Sequence, residues 1–167
     1  MWVVLDVQPL LIGGDLGVAR ALSACVHAAA EHNLVLLEHH PETPALYDYA
    51  KQGRIRYLSE PQGSAYETVR SIPLIIQEGG GDCAHLSGWR LAELWRDDLR
   101  QQGRRIANCK VYCRHFCPDK RCKARVDPDD HYCRNCGKPF LRPSRMFHAE
   151  VRRADGDVED PSRMMGM

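Results

Sequence analysis

Residues 81–103 read GDCAHLSGWRLAELWRDDLRQQG, and the fold turns on how this stretch is read. Leu86, Trp89, Leu94, Trp95 and Leu99 place apolar side chains at helical spacing from Ala84 to Gln102. Asp82 is suited to cap the helix by accepting a hydrogen bond from an early amide. Gly103 is a natural stop. Cys83 therefore stands at a helix start, where the positive end of the helix dipole favours a thiolate. A lone cysteine is more often a packing residue, so a nucleophile reading needs partners elsewhere in the chain.

The chain has 167 residues, enough for one compact domain plus a small module. Hydrophobic residues make up 44% and charged residues 27%, the balance of a globular protein. A net charge of +1 argues against a polyanion-binding surface spread over the whole chain. No apolar run reaches the length needed to span a bilayer, so no membrane partner is expected. Met1-Trp2-Val3-Val4-Leu5-Asp6 lacks a basic start and meets an acid early, which argues against a signal peptide. The expected compartment is cytosolic and reducing. The 8 cysteines then read as thiols or metal ligands rather than disulfides.

Upstream, Leu16, Ala19, Leu22, Val26 and Ala29 predict a helix over 16–31 with Asp15 as cap. Leu34 to Leu37 is either the end of that helix or a strand. His39 to Pro44 is a break, since prolines flank Glu42 and Thr43. Residues 45–64 read as a long, loop-rich connection. In it, Tyr47, Tyr49 and Tyr57, with Tyr66 beyond, either line a groove or pack in the core. Ile72 to Ile76 is a short apolar segment leading into Glu78-Gly79-Gly80-Gly81. Those glycines lack the Lys and Ser/Thr of a phosphate-binding loop and read as a close backbone approach. Downstream, Arg105 to Tyr112, Met146 to Arg153 and Val158 to Asp160 read as strands. The last two are joined across Ala154-Asp155-Gly156-Asp157, a hairpin signal.

Between the first two of these strands lies a cysteine-rich segment. Cys117-x4-Cys122 and Cys133-x2-Cys136-Gly137 are separated by ten residues. Four thiolates at this spacing can close a tetrahedron around Zn²⁺, as in a zinc ribbon. Four protein ligands leave no open position, so the ion would be structural. Cys113, four residues before Cys117, is an alternate ligand, and His115 and His131 are flanking alternatives. Cys25 and Cys109 read as buried thiols. Lys110, Arg114, Lys120, Arg121, Lys123 and Arg125 make the neighbourhood basic. That is either a solvated surface or, as the minority reading, a contact for nucleic acid or an acidic partner.

A thiol nucleophile needs a base, and the base needs a group to orient it. Cys83 at a helix start, His148 on one strand and Asp160 at the end of the next form a sensible catalytic order. Hairpin register tests it. A two-residue turn at Asp155-Gly156 would pair position 148 with 163 and put Asp160 on the opposite face. A three-residue loop with a glycine bulge shifts the pairing by one and returns both positions to one face. The triad reading therefore predicts the bulged turn, or an irregularity near Pro161.

Gly81-Asp82-Cys83 before a Trp-containing helix, His148 on a strand, and Asp160 within Asp155-Gly156-Asp157-Val158-Glu159-Asp160-Pro161-Ser162 resemble the transglutaminase-like branch of the papain-like cysteine enzymes. His40-Pro41-Glu42-Thr43-Pro44, Leu46-Tyr47 and the ending Gly166-Met167 are similar to small transglutaminase-like proteins of tailed bacteriophages and prophages. The resemblance covers most of 38–112 and 145–167. It implies an α+β fold: a papain-like core at 1–112 plus 144–167, with the cysteine helix on a small antiparallel sheet, and a zinc ribbon inserted at 113–143. It also implies a cysteine hydrolase or acyl transferase, a peptidase or amidase, acting on a protein substrate or assembling with other phage structural proteins. The setting would be the bacterial host cytoplasm or a virion. A non-catalytic structural or assembly role on the same scaffold is the competing expectation. Gln77, six residues before Cys83, sits where papain-like enzymes place an oxyanion glutamine; it is equally a loop residue, and the Cys83 amide is another donor. The phage proteins carry one or two acids directly after the cysteine, and this chain has Ala84 and His85. His85 is either a substitute polar group near the thiol or an exposed side chain.

Overall fold

The structure, a computed structural model, describes residues 2–6, 14–59, 66–119, 121, 122 and 124–167, with backbone only for 2–6, 66 and 67. The described residues form a mixed α+β structure with three small sheets. It divides into two compact units, Met1–Val111 with Ala149–Met167, and Tyr112–His148.

The larger unit is organised around two helices, α1 (Gly14–His39) and α4 (Cys83–Gln102), packed on each other. In α1 the buried positions Val18, Leu22, Val26, Ala29, Ala30, Asn33, Leu34 and Leu37 form one stripe three or four residues apart. The stripe continues without a break through Leu34 and Leu37, so the helix runs to His39 and no strand forms there. Leu16, expected on this stripe, is exposed. Opposite it, α4 contributes Leu86, Trp89, Leu91 and Ala92, all fully buried. Asp82 caps α4: its side chain accepts from the amides of Ala84 and His85, and Gly103 ends the helix at φ 68°.

Strands β1 (Trp2–Asp6) and β3 (Tyr66–Arg70) pair antiparallel, with Val4 opposite Thr68. The 45–59 part of the expected loop is more ordered than its polarity suggests; 60–64 lie outside the described residues. It holds a short helix, α2 (Leu46–Lys51), and a two-residue strand, β2 (Arg56–Tyr57). Tyr49 is buried edge-on against Trp89, with ring centroids 5.6 Å apart, so it belongs to the core. The apolar segment after β3 is a helix, α3 (Ile72–Glu78), ended by Gly79 in the left-handed region. Its first amide, on Ile72, is capped at long range by the buried side chain of Asn33 at 3.0 Å.

After α3 the chain forms β4 (Gly80–Gly81), which pairs parallel with β2. Both glycines are required by space. A Cβ on Gly80 would lie 2.0 Å from the Arg56 carbonyl oxygen, and Gly80 has φ 151°. A Cβ on Gly81 would lie 2.7 Å from that of His85. Strands β5 (Asn108–Phe116), β6 (Ser144–Arg152) and β7 (Val158–Glu159) make a three-stranded sheet in that order. The chain ends on a single helical turn, α5 (Pro161–Met164).

Candidate functional site

Cys83 is the first residue of α4 and is half-buried. The turn in front of it is tightly built. Leu58 donates its amide to the Gly81 carbonyl at 3.0 Å, and Arg56 donates to that of Gly79 at 3.1 Å. His85 is fully buried rather than exposed. Its Nδ1 lies 2.5 Å from an Asp82 carboxylate oxygen and 3.2 Å from the Asp82 amide, closing a capping box. Position 85 thus holds an imidazole that braces the cysteine turn.

Cys83, Ser87 and Arg90 lie on one face of α4, since residues four and seven apart stack along a helix. That face is turned toward the C-terminal hairpin. Ser87 Oγ donates to the Ala149 carbonyl of β6 at 3.4 Å. Arg90 grips Glu159 of β7 with two parallel bonds, Nε to Oε2 at 2.7 Å and Nη2 to Oε1 at 3.0 Å. Arg90 Nη1 also donates to Glu93 at 2.9 Å, and the second Glu93 oxygen accepts the Leu46 amide at 2.6 Å. Tyr47 Oη donates to Glu159 at 2.9 Å. Burial pushes the Glu159 carboxyl up, but the bonds from Arg90 and Tyr47 outweigh it and hold the group below the usual range. For Glu93 burial wins, and its carboxyl is raised despite the Leu46 amide and Arg90.

The hairpin between β6 and β7 has the bulged turn. Val151 pairs with Glu159 and Arg152 with Val158, which makes a three-residue loop of Ala154, Asp155 and Gly156. Gly156 takes φ 93° and donates its amide to the Arg153 carbonyl, while the Arg153 amide bonds the Asp157 carbonyl at 2.8 Å. Asp160 follows β7 directly and caps α5, its Oδ1 accepting from the Arg163 amide at 3.1 Å and Ser162 Oγ at 3.2 Å. Cys83 and Asp160 belong to the larger unit. His148 is the last residue of the smaller one, buried, with its ring edge-on to Tyr112 at 5.6 Å between centroids. Gln77 is exposed on the last turn of α3.

In the smaller unit the sulfurs of Cys117, Cys122, Cys133 and Cys136 all lie within 4.8 Å of one another. Cys117 and Cys136 are 3.8 Å apart and Cys122 and Cys133 3.6 Å, with no disulfide. Cys117 and Cys122 lie within one bridged loop, and Cys133 and Cys136 within another. Phe116 bridges to Arg125 around the first, and Tyr132 to Pro139 around the second. Gly137, at φ 70°, lets its amide return to the Cys133 carbonyl at 2.7 Å. The side-chain amide of Asn135 donates to the Cys122 sulfur at 3.3 Å. Asn135, with the Ala124 amide, draws that thiol down to about 7. Such an arrangement can bind a metal ion. Cys113 is outside the quartet: it is carried on β5, with its sulfur 3.9 Å from Nε2 of His115. His131 is not needed to complete four ligands. Cys109 is a buried thiol, pushed up to about 12 by burial and by Glu150. Lys120 and Lys123 of the basic run lie outside the described residues.

The pattern of residues signalled Cys83 and the four cysteines, but not the Arg90–Glu93–Glu159–Tyr47 network. Arg90 and Glu93 were visible as a pair three apart on a helix. Nothing local marked Glu159 or Tyr47 as their partners. Among the described residues, no helix is long and apolar enough to cross a membrane. No protein-family model, no curated protein and no solved structure matches the chain.

Proposed function

We propose that the protein is a thiol-dependent acyl-transfer enzyme in which Cys83, His148 and Asp160 act together. The observation that carries this reading is the face of α4 that starts at Cys83. Through Ser87 and Arg90 it is fastened to Ala149 of β6 and Glu159 of β7, the chain neighbours of His148 and Asp160. The bulged register supports it, being one of the two arrangements that the triad reading expects. In the reaction, the Cys83 thiolate attacks an amide carbonyl carbon, and imidazolium His148 gives its proton to the leaving amine. Asp160 orients the ring. Water then releases the acyl group from the thioester as an acid, or an amine captures it as a new amide. Hydrolysis would make the protein a peptidase or amidase, and capture a transferase. The transglutaminase-like family and the phage setting rest on the sequence motifs alone.

The metal of the smaller unit is Zn²⁺ in this reading. A Zn–S bond of about 2.3 Å puts tetrahedral sulfurs about 3.8 Å apart, close to the separations of the two sulfur pairs. Four cysteines leave no coordination site for a substrate, so the ion is structural.

One observation favours a second reading, a non-catalytic assembly component. Asp160 already has a structural duty as the cap of α5. Alkylation of Cys83 at graded pH separates the two. Catalysis expects a thiolate-like rate near about pH 6 that is lost in His148→Ala, against an ordinary thiol near about 8.5. An ordinary titration of Cys83 in the wild-type protein would remove the enzymatic reading.

A further inference from the structure

We propose that Arg90 and Glu159 are positioning residues, a clamp that sets the distance between the Cys83 helix and Asp160. The inference rests on the acyl-transfer reading above and deepens it. Arg90 is two helical turns from Cys83 on the same face of α4, and Glu159 is the residue before Asp160. Their two parallel bonds fix both separation and angle, which a single contact would not. The guanidinium and carboxylate are 15% and 12% exposed, so water competes little for either.

The rest of the network holds the pair in one arrangement. Glu93 takes the third direction of the guanidinium and is itself anchored by the Leu46 amide. Tyr47 and Arg153 occupy the remaining sides of Glu159, at 2.9 and 3.3 Å. A buried ion pair is a weak source of stability compared with apolar packing of the same volume, so its use here points to geometry. Geometry is what a triad needs, because a displacement of about 1 Å at the reacting groups can cost about a hundredfold in rate. The same network reaches the other side of the cysteine. Leu46 and Tyr47 begin the segment that continues to β2 and ends hydrogen-bonded to Gly81, so one clamp braces both the hairpin and the cysteine turn.

The test compares wild type, Glu159→Gln, Arg90→Lys and Leu91→Ala in the full chain. Iodoacetamide labelling of the Cys83 peptide is followed by mass spectrometry from about pH 5 to 9, beside thermal melting. Glu159→Gln and Arg90→Lys keep the volume but lose the paired fork. Each is expected to move the thiolate limb toward that of an ordinary thiol, near about 8.5, and to slow labelling at about pH 6 at least tenfold. Leu91→Ala removes buried packing on α4 without touching the clamp, and is expected to melt lower with an unchanged pH profile. A clamp variant whose profile superimposes on an activated wild type overturns the clamp and leaves the acyl-transfer reading standing. An equal shift in Leu91→Ala also overturns it, because the effect would then be general destabilisation. An ordinary thiol in the wild type removes the underlying reading and the clamp with it. Should Glu159→Gln fail to fold, Arg90→Lys alone decides.

Discussion

The larger unit keeps its shape by closing apolar side chains around Trp89, whereas the smaller has almost none to close. Among the described residues of Tyr112–His148, the buried apolar positions are Cys117 and Cys133, two of the four clustered thiols. Tyr132 and Leu141, which could have formed a small core, are exposed. The units differ in charge as well. The smaller carries nine Lys and Arg against four Asp and no Glu, so the remaining residues are net acidic. The near-zero charge of the whole chain is therefore an average and is no guide to what either unit attracts. Two solutions to the same problem stand in one chain: burial where there is enough apolar surface, and, in the reading proposed above, metal coordination by the four cysteines where there is not.

The sharpest way to break that contrast is to remove the metal proposed for the quartet. If the quartet holds the proposed zinc, chelation, or Cys133→Ser, should unfold 112–148, because structural zinc supplies about 10–16 kcal/mol in zinc-finger modules. Limited proteolysis should then cut within the module while α1 and α4 stay protected, and metal analysis should show the loss. Unchanged metal content in Cys133→Ser would reject the quartet. The next effect belongs to the other unit. Trp89→Ala should cost about 3–5 kcal/mol in denaturant unfolding, as expected for a fully enclosed aromatic ring, with metal content unchanged. Asp82→Ala removes the cap and the partner of His85 and should cost about 1–2 kcal/mol. A loss near zero would mean that Asp82 does not hold the turn.

The smallest effect is in pH. Glu159 is held low, so its contribution is present above the unfolded carboxyl value, near about 4.3, and is lost as pH falls through the folded value. Glu159→Gln should therefore flatten the decline of melting temperature on the acid side. Glu93 is raised and acts in the opposite sense, its contribution fading as pH rises through the folded value. Glu93→Gln should steepen the same decline. Parallel curves for the three proteins would show that neither carboxyl is coupled to folding.

What the sequence disclosed divides along the same line. Helix α4 was legible because its apolar spacing, its Asp82 cap and its Gly103 stop are all local. The quartet was legible because its two short cysteine pairs, 117/122 and 133/136, have the spacing that a metal site would need. The order within 45–59 was hidden, since α2 is short and polar, and its N-terminal amide is satisfied by Glu93, 47 residues away. No window along the chain contains both partners. Helix α3 was closer to hand: Pro73 in its first turn and Gly79 at its end are ordinary boundary signals, masked by an apolar run short enough to pass for a strand. The hairpin register could be posed as a choice between two turns but not decided, because Asp155-Gly156 is compatible with either.

That turn carries a consequence for how the gene can change. A strand alternates its side chains at every residue, so the loop of Ala154, Asp155 and Gly156 sets the parity of every position in β7. Exchanging Ala154 leaves the count intact. Deleting it would send Glu159 and Asp160 to opposite faces from those they now occupy, undoing the grip of Arg90 at a stroke. Tolerance at this site should thus depend on loop length far more than on loop composition, and single-codon deletions here should be as damaging as substitutions in the core.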